Sequence, residues 1–184
     1  MSEASRAGRR VIAIAAIALL ALAAWLTRLG TRWPQVYCMT DGSMEPSLRD
    51  GQCFLAVSPA GRLSHGAVVL FQLDFGEERY AVPRRVAGLP GDTVTLRDGV
   101  VAVNGTRAPW PFAIREPHQR RSRLARGDSL LTWAEPWVVS PDSLLLLADT
   151  RDMAGWPDSR FLGLVPASDV FARATITLTG RRVR

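Results

Sequence analysis

Three stretches of the chain hold residues whose types and spacing could support nucleophilic chemistry. The first, DGSMEPSLRDGQ at residues 41–52, places Ser43 in a loop, with the turn residues Pro46 and Gly51 after it. A serine hydroxyl attacks a carbonyl carbon only when a neighbouring base accepts its proton. A single serine in a loop more often has a structural role, so this stretch by itself leaves both interpretations open.

The second stretch, RRVAGLPGDTV at residues 84–94, reads as a basic strand that enters a Gly-Leu-Pro-Gly turn. All 23 basic residues of the chain are arginines, and the two histidines are His65 and His118. A guanidinium has a pKa far above neutral pH and is almost never neutral, whereas an ordinary histidine has a pKa of about 6.5. The identity of a proton acceptor is therefore the open chemical question.

The third stretch, DTRDMAGWPDSRFLGLVP at residues 149–166, brings two acids and two arginines close together: Asp149, Arg151, Asp158 and Arg160. Arginine and carboxylate groups can form bidentate pairs that hold a loop in one conformation. The same residues on an exposed surface would pair with little effect on stability. Both a supporting ion-pair lattice and ordinary surface pairing are compatible with this spacing.

Composition excludes several function classes. The net charge of +6 could indicate nucleic-acid binding, but there is no zinc-finger spacing, RNA-binding signature or basic recognition helix. We therefore expect no nucleic-acid partner. Two histidines and two cysteines at these spacings do not make a metal site, and nucleotide-binding glycine motifs are absent, so no metal or cofactor is predicted.

The N-terminus predicts a membrane anchor. Residues 1–10 carry three arginines, and residues 11–27 then run without a charge. A helix of that length spans roughly 25 Å, just short of a hydrocarbon core. The competing interpretation is a cleaved signal peptide, because Ala21-Leu22-Ala23 has the small-x-small form. We favour an uncleaved span with its N-terminus in the cytoplasm and the remainder, residues 33–184, on the outer face.

Two cysteines, Cys38 and Cys53, would then lie in a compartment that permits disulfides. A bridge between them would close a loop of about 15 residues and contribute roughly 3 kcal/mol in the loop-entropy account. Two buried free thiols are an equal alternative at this stage.

Beyond the anchor the apolar patterning is that of strands. QCFLAV (52–57), GAVVLFQL (66–73), SLLLLAD (143–149) and FARATITL (171–178) are short runs bounded by turn residues. In TVTLRDGVVAVNG, Asp98-Gly99 predicts a type I′ hairpin. The Pro- and Arg-rich residues 110–128 read as an exposed loop that could contact anionic lipid headgroups. The sequence predicts an all-β antiparallel barrel or sandwich with one N-terminal transmembrane helix.

The three stretches, in this order and after an anchor, resemble the type I signal peptidase family, which are membrane-anchored serine proteases of the S26 class. SMEPSLRDGQ is similar to the family's nucleophile box, RRVAGLPGDTV to its general-base box and DTRD…PDSRFLGLVP to its last box. The compact insertion and the DSRFLG ending are also similar to the conjugative-transfer pilin peptidases. The resemblance implies an all-β domain whose cleft takes an extended peptide by strand addition before a small-x-small cleavage site.

The resemblance implies a role for each matching position. Ser43 would be the nucleophile and Arg84 stands at the position of the family's lysine base. Met44 would lie beside the nucleophile on the membrane-facing rim, and Pro90 and Gly91 would keep the turn under the cleft. The pairs among Asp149, Arg151, Asp158 and Arg160 would support the catalytic loop.

Three departures from the family pattern bear on catalysis. Arg84 replaces the lysine, Ala154 and its neighbours lack the hydroxyl that orients it, and Asp41 stands near the expected oxyanion hole. Another residue could be the base, with His65 the first candidate and Asp41 the second. Alternatively, the chain could be a non-catalytic relative that binds preproteins or pilins, or a slow enzyme in which Arg84 acts electrostatically and water or substrate takes the proton.

The function expected from these arguments is a membrane-anchored, signal-peptidase-like serine endopeptidase. It would cleave signal or leader peptides from exported preproteins or pilins on the outer side of the cytoplasmic membrane, next to membrane lipid. The alternative is a catalytically impaired homologue that serves as a preprotein- or pilin-binding assembly factor.

Overall fold

The computed structural model describes residues 14–23, 34–59, 61–112, 131–151, 157–180 and 182–183. Several sequence predictions fall outside these residues. They are the cytoplasmic segment 1–10, both ends of the predicted span 11–27, most of the predicted loop 110–128 with His118, and Ala154.

The described residues after position 33 form eleven β-strands with little helix, as the β-type patterning predicts. The strands are β1 (Gln35–Cys38), β2 (Cys53–Val57), β3 (Val68–Phe75), β4 (Glu78–Gly88), β5 (Thr93–Arg97), β6 (Val100–Val103), β7 (Thr106–Arg107), β8 (Trp137–Val138), β9 (Ser143–Leu147), β10 (Val165–Pro166) and β11 (Val170–Thr177). One short α-helix, Ser159–Leu162, and one 3-10 turn, Ala167–Asp169, precede β11.

The strands form two antiparallel sheets. The larger has seven strands in the order β1-β2-β11-β3-β4-β9-β10, and the smaller has four in the order β7-β6-β5-β8. Within the described residues both sheets are open, so the all-β class is confirmed but a closed barrel is not observed. The longest strand, β4, carries Arg84 and Arg85 into the middle of the larger sheet, where it pairs with β3 and β9.

The hairpin predicted from Asp98-Gly99 joins β5 to β6. Both residues have positive φ, 51° and 78°, as a type I′ turn requires. Asn104-Gly105 makes the same kind of turn between β6 and β7, with φ of 51° and 79°. Local turn chemistry therefore determines the register of the β5–β6 and β6–β7 pairs in the smaller sheet.

Three apolar clusters make up the core of the β domain. The predicted strand β9 is buried at Leu144–Leu147, and its alternate side chains pack into two different clusters because successive residues face opposite sides of the sheet. The third cluster joins Met44 and Leu48 to Phe54 of β2. Met44 is fully buried there, which corrects the expectation of a membrane-facing rim position.

Cys38 and Cys53 form a disulfide, which decides between the two alternatives that the sequence left open. They are register partners at the end of the β1–β2 pair. The bridge therefore closes the loop 39–52, which carries Ser43, at the point where its two ends enter neighbouring strands.

The N-terminal part of the chain, Met1–Trp33, is a separate unit from Pro34–Arg184. Its described residues, 14–23, are helical, and their side chains are exposed. In the part of the chain that the structure describes, no helix reaches the length and apolar character needed to cross a membrane. The transmembrane anchor over residues 11–27 stays a prediction.

Candidate active site

The loop that carries Ser43 is held at both ends and at its centre. Besides the disulfide, Met39 N donates to Gln52 O and Gly51 N to Met39 O, each at 3.0 Å. At the centre, Thr150 Oγ1 donates to Gly42 O at 2.7 Å and to Glu45 O at 3.1 Å. Thr150 N donates to Ser43 O at 2.8 Å. One threonine after β9 therefore fixes the backbone on both sides of the serine.

The hydroxyl of Ser43 lies against the guanidinium of Arg84. Arg84 Nη1 donates to Ser43 Oγ at 3.0 Å, and the same nitrogen donates to Pro83 O at 2.6 Å. Both side chains are buried, each with 1% of its surface exposed. The structure thus joins the two residues that the resemblance assigned to nucleophile and base, which lie 41 positions apart in the chain.

Burial changes the acid–base behaviour of Arg84. Removal from water lowers the pKa of its guanidinium to about 10, and the negative charges of Asp158 and Asp41 oppose this shift only in part. The neutral guanidinium is therefore a minor form at pH 7, but a more accessible one than it would be in water. The expectation of a permanently charged guanidinium omits this shift, because sequence alone does not reveal burial.

The side chain of Asp41 contacts the backbone of Ser43. The Ser43 amide nitrogen donates to Asp41 Oδ1 at 2.9 Å. The serine is therefore held from two directions, with a cation at its hydroxyl and a carboxylate at its amide.

The neighbouring arginine, Arg85, supports the loop from the other side of β4. Its Nε and Nη2 donate to the two oxygens of Asp149 at 2.7 and 2.6 Å, and both side chains are buried. Arg85 also donates to Ser47 Oγ at 2.6 Å and to Gly66 O at 2.5 Å. This bidentate pair connects β4, the end of β9 and the loop that carries Ser43.

Asp158 connects the short helix that follows it to the residue after β9. Its side chain caps the helix Ser159–Leu162 and accepts a hydrogen bond from Ala148 N at 2.8 Å. Arg160 Nη2 donates to Asp158 Oδ2 at 2.7 Å. Burial by itself raises the pKa of Asp158, but Arg160 and the Ala148 amide outweigh this effect and hold the pKa below its usual value. Its negative charge also acts on Arg84.

Arg151 takes part in a different contact from the one the spacing suggested. Its Nε donates to Gly99 O at 3.2 Å, and its guanidinium lies 5.7 Å from the centre of the Phe112 ring. Asp149, its sequence neighbour, pairs with Arg85 instead. Arg151 therefore joins this segment to the β5–β6 hairpin.

His65, the first alternative base, faces Asp92. Its Nε2 lies 2.6 Å from Asp92 Oδ2, and 43% of the histidine side chain is exposed. Burial raises the pKa of Asp92, but hydrogen bonds from His65, the Leu89 amide and Asn104 bring it below its usual value. Among the residues that the structure describes, the hydrogen-bond partner of Ser43 Oγ is Arg84, and His65 is not one.

The turn after β4 has the conformation that its sequence requires. Gly91 has φ of 88°, and its amide donates to Val139 O at 2.9 Å. Pro90 precedes it in the turn, and Asp92 N donates to Leu89 O at 3.0 Å. This turn connects β4 of the larger sheet to β5 of the smaller one. It follows the end of β4, the strand that carries Arg84.

A cavity of about 150 Å³ lies beside the two residues that hold Ser43. Asp41 and Arg84 line it, together with Thr40, Val82 and Pro83. A larger cavity of about 1190 Å³ is lined by His65, Trp110 and Arg173, and not by Arg84. Ser43 itself lines neither cavity. We take the smaller cavity as the candidate site because it adjoins the only buried serine–arginine contact among the described residues.

Sequence reasoning missed three contributors: Thr150, Ser47 and Asn104. Thr150 follows the acid that begins the third stretch, and Ser47 lies four residues after Ser43. Their nearness to candidate site residues in the sequence was the one signal that could have identified them. The hydrogen bonds of Ser47 and Thr150 span 38 and 108 residues, and the bond from Asn104 to Asp92 spans 12. Such pairings are not readable from spacing. Across the described residues, no group of three His, Cys, Asp or Glu side chains is arranged as metal ligands would be.

Comparison with known proteins adds an independent observation. The family described as signal peptidase, peptidase S26, matches residues 9–179 of this chain. The chain belongs to this family. The buried Ser43 and Arg84 therefore lie in a signal peptidase, which is a serine peptidase.

Individual relatives agree with this assignment. The chain is 29% identical over 133 residues to signal peptidase I of Bacillus licheniformis, covering 70% of this chain and 68% of that protein. It is 27% identical over 148 residues to signal peptidase IB of Staphylococcus aureus, covering 76% and 74% of the two chains. The shared region includes most of the β domain of this signal peptidase.

Proposed function

We propose that this signal peptidase cleaves signal or leader peptides from exported preproteins or pilins, with Ser43 as nucleophile and Arg84 as its proton acceptor. The contact of 3.0 Å between Arg84 Nη1 and Ser43 Oγ carries this proposal. It brings a titratable group within proton-transfer distance of the only serine that the family resemblance assigns to catalysis.

The reaction follows from this contact. The minor neutral form of Arg84 accepts the proton while Ser43 Oγ forms a bond to the scissile carbonyl carbon. The tetrahedral intermediate then breaks its C–N bond, and the protonated guanidinium returns the proton to the leaving amine. Water attacks the resulting acyl-enzyme by the same proton transfers and releases the carboxylate product with Ser43 restored.

The substrate class is supported by the sheet edge beside the cavity. Strand β4 pairs with β9 only at Arg85, Val86 and Gly88, so residues 81–83 have β3 as their only described strand neighbour. An extended peptide can add to this edge and place a side chain in the adjoining cavity of about 150 Å³. That volume suits a small side chain, in agreement with a small-x-small cleavage site.

The location is proposed from the N-terminal sequence and the disulfide. An uncharged run over residues 11–27 behind three arginines favours a single span with the β domain outside the cytoplasm. The Cys38–Cys53 bridge is typical of an oxidising compartment. Resistance of the chain to carbonate extraction, and digestion of its β domain by protease added to spheroplasts, would support this topology; a soluble chain would contradict it.

The test of the function uses the full chain in detergent with a preprotein substrate. We expect slow cleavage at a small-x-small site by the natural chain and none by Ser43→Ala. Ser122 belongs to the Pro- and Arg-rich stretch 110–128 of the sequence, and Ser122→Ala serves as the matched control, for which we expect full activity. Equal product from the natural chain and Ser43→Ala would remove Ser43 as nucleophile.

A binding or assembly role is the second candidate, and one observation favours it. Arg84 donates to Ser43 Oγ, so in its charged form it uses the hydroxyl as an acceptor and takes no proton from it. This role predicts that the natural chain and Ser43→Ala bind a preprotein with equal affinity, and that neither cleaves it over the pH range from 7 to 10.

A further inference from the structure

The amide of Ser43 is occupied in this structure. Its nitrogen donates to Asp41 Oδ1 at 2.9 Å, and Asp41 also lines the cavity beside the site. In a serine peptidase the amide of the nucleophile lies next to the carbon under attack, where it can hold the oxygen that becomes negative. A carboxylate at this amide takes that donor and repels the negative charge that the reaction develops.

We propose that Asp41 restrains this enzyme by occupying the oxyanion-binding amide of Ser43, and that its carboxylate leaves this amide when a peptide enters the adjoining cavity. This inference rests on the proposed function of Ser43 as nucleophile. Asp41 is a positioning residue in this account, because it acts through Ser43 and through the charge of Arg84.

The loop is also held by contacts that do not involve the Asp41 side chain. Thr150 binds the carbonyl groups of Gly42, Ser43 and Glu45, and the Cys38–Cys53 bridge closes the two ends of the loop. Because none of these contacts uses the Asp41 side chain, we expect the loop to keep its conformation in Asp41→Ala. Its contact with the amide therefore bears on the chemistry more than on folding.

A second effect of Asp41 acts on Arg84. The charged groups that act on Arg84 are Asp158, Asp41 and Asp149, which favour its protonated form, and Arg160, which disfavours it. Loss of the Asp41 charge removes one of the three groups that keep the guanidinium protonated. The alkaline rise of activity should then begin at a lower pH.

Two substitutions separate these effects. Asp41→Asn removes the charge and retains an oxygen that can accept the Ser43 amide, whereas Asp41→Ala removes both. Asp50→Asn makes the same charge change in the same loop, at an exposed residue that does not line the cavity, and is the matched control. All are measured as full-length chains in detergent with a preprotein, and kcat, KM and the pH profile are recorded.

We expect Asp41→Ala to raise kcat about tenfold or more with a small change in KM, since a freed oxyanion donor acts in the transition state. Asp41→Asn should raise kcat less, and both variants should move the pH profile to lower pH while Asp50→Asn leaves it unchanged. An unchanged or lower kcat in Asp41→Ala, with cleavage that still requires Ser43, would overturn the restraint and leave the proposed function intact.

A second measurement tests the restraint without peptide cleavage. It is needed if no variant cleaves the preprotein, a result that would count against the proposed function. A fluorophosphonate probe forms a bond between its phosphorus and Ser43 Oγ, releases fluoride and uses the same oxyanion donor. Faster labelling of Asp41→Ala than of the natural chain supports the restraint. Equal or slower labelling overturns it, and Ser43→Ala shows that the label is on Ser43.

Discussion

Arg84 Nη1 lies 3.0 Å from Ser43 Oγ. Arg84 belongs to strand β4, and Ser43 belongs to a loop that is closed by a disulfide. The arginine is buried, and its charge is balanced in part by Asp158 and Asp41. A guanidinium in this position has two consequences that can be separated by experiment. Its pKa determines when it can accept a proton, and its charge holds the hydroxyl in place at neutral pH.

Activity should rise with pH up to about the pKa of Arg84, which burial lowers to about 10. The neutral guanidinium is the reactive form, so kcat/KM should increase about tenfold per unit between pH 7 and 9 and level off near pH 10. Rates measured from pH 6 to 10.5 test this, with the circular dichroism of the chain followed at each pH. A rise that levels off near pH 6.5 would instead implicate a histidine.

Arg84→Lys should raise activity at neutral pH. A buried lysine loses its proton at a much lower pH than a buried arginine, because desolvation acts on a group with a lower starting pKa. We expect kcat at pH 7.5 to increase about tenfold or more, following the larger neutral fraction. Arg79→Lys, at an exposed residue of the same strand, is the control. An unchanged rate in Arg84→Lys would show that this position does not limit the reaction.

Thr150→Val should weaken both the loop and the reaction. The substitution keeps the shape of the side chain but removes the hydroxyl that donates to Gly42 O and Glu45 O. Loss of these buried bonds should reduce the free energy of unfolding by about 1–3 kcal/mol and lower kcat more than it raises KM. Thr132→Val, which changes a threonine in an exposed contact, should leave kcat unchanged. Equal losses of kcat in the two variants would contradict the role assigned to Thr150.

Asp149→Asn should destabilise the β domain strongly. It leaves the buried Arg85 guanidinium without its bidentate carboxylate, and breaking such a pair costs about 3–5 kcal/mol. Denaturant unfolding of the full chain measures this loss. Asp74→Asn breaks an exposed pair with Arg79 and should cost about 1 kcal/mol or less. If both variants unfolded at the same denaturant concentration, the Arg85–Asp149 pair would not be a structural support.

Local patterns in the sequence were sufficient to predict much of the β domain. The Asp98-Gly99 pair predicts the β5–β6 hairpin because a type I′ turn needs two residues that tolerate positive φ, and both have it. The run of four leucines at 144–147 predicts a buried strand because it has no polar face. The sequence did not predict the short strands β7, β8 and β10, because two-residue strands form only where a longer neighbour pairs with them.

The sequence by itself determined which groups are available: two serines in a turn-rich loop, no lysine, and an arginine ahead of the Gly-Leu-Pro-Gly turn. These follow from residue types and spacing. Only the tertiary structure decided that Arg84 reaches Ser43, that Asp41 holds its amide, and that Asp149 pairs with Arg85 across 64 residues. Burial also lowers the pKa of Arg84, because a charge loses its hydration when the fold encloses it. Contacts between distant residues and the loss of water around a charge arise from packing, and for that reason they cannot be read from the order of the residues.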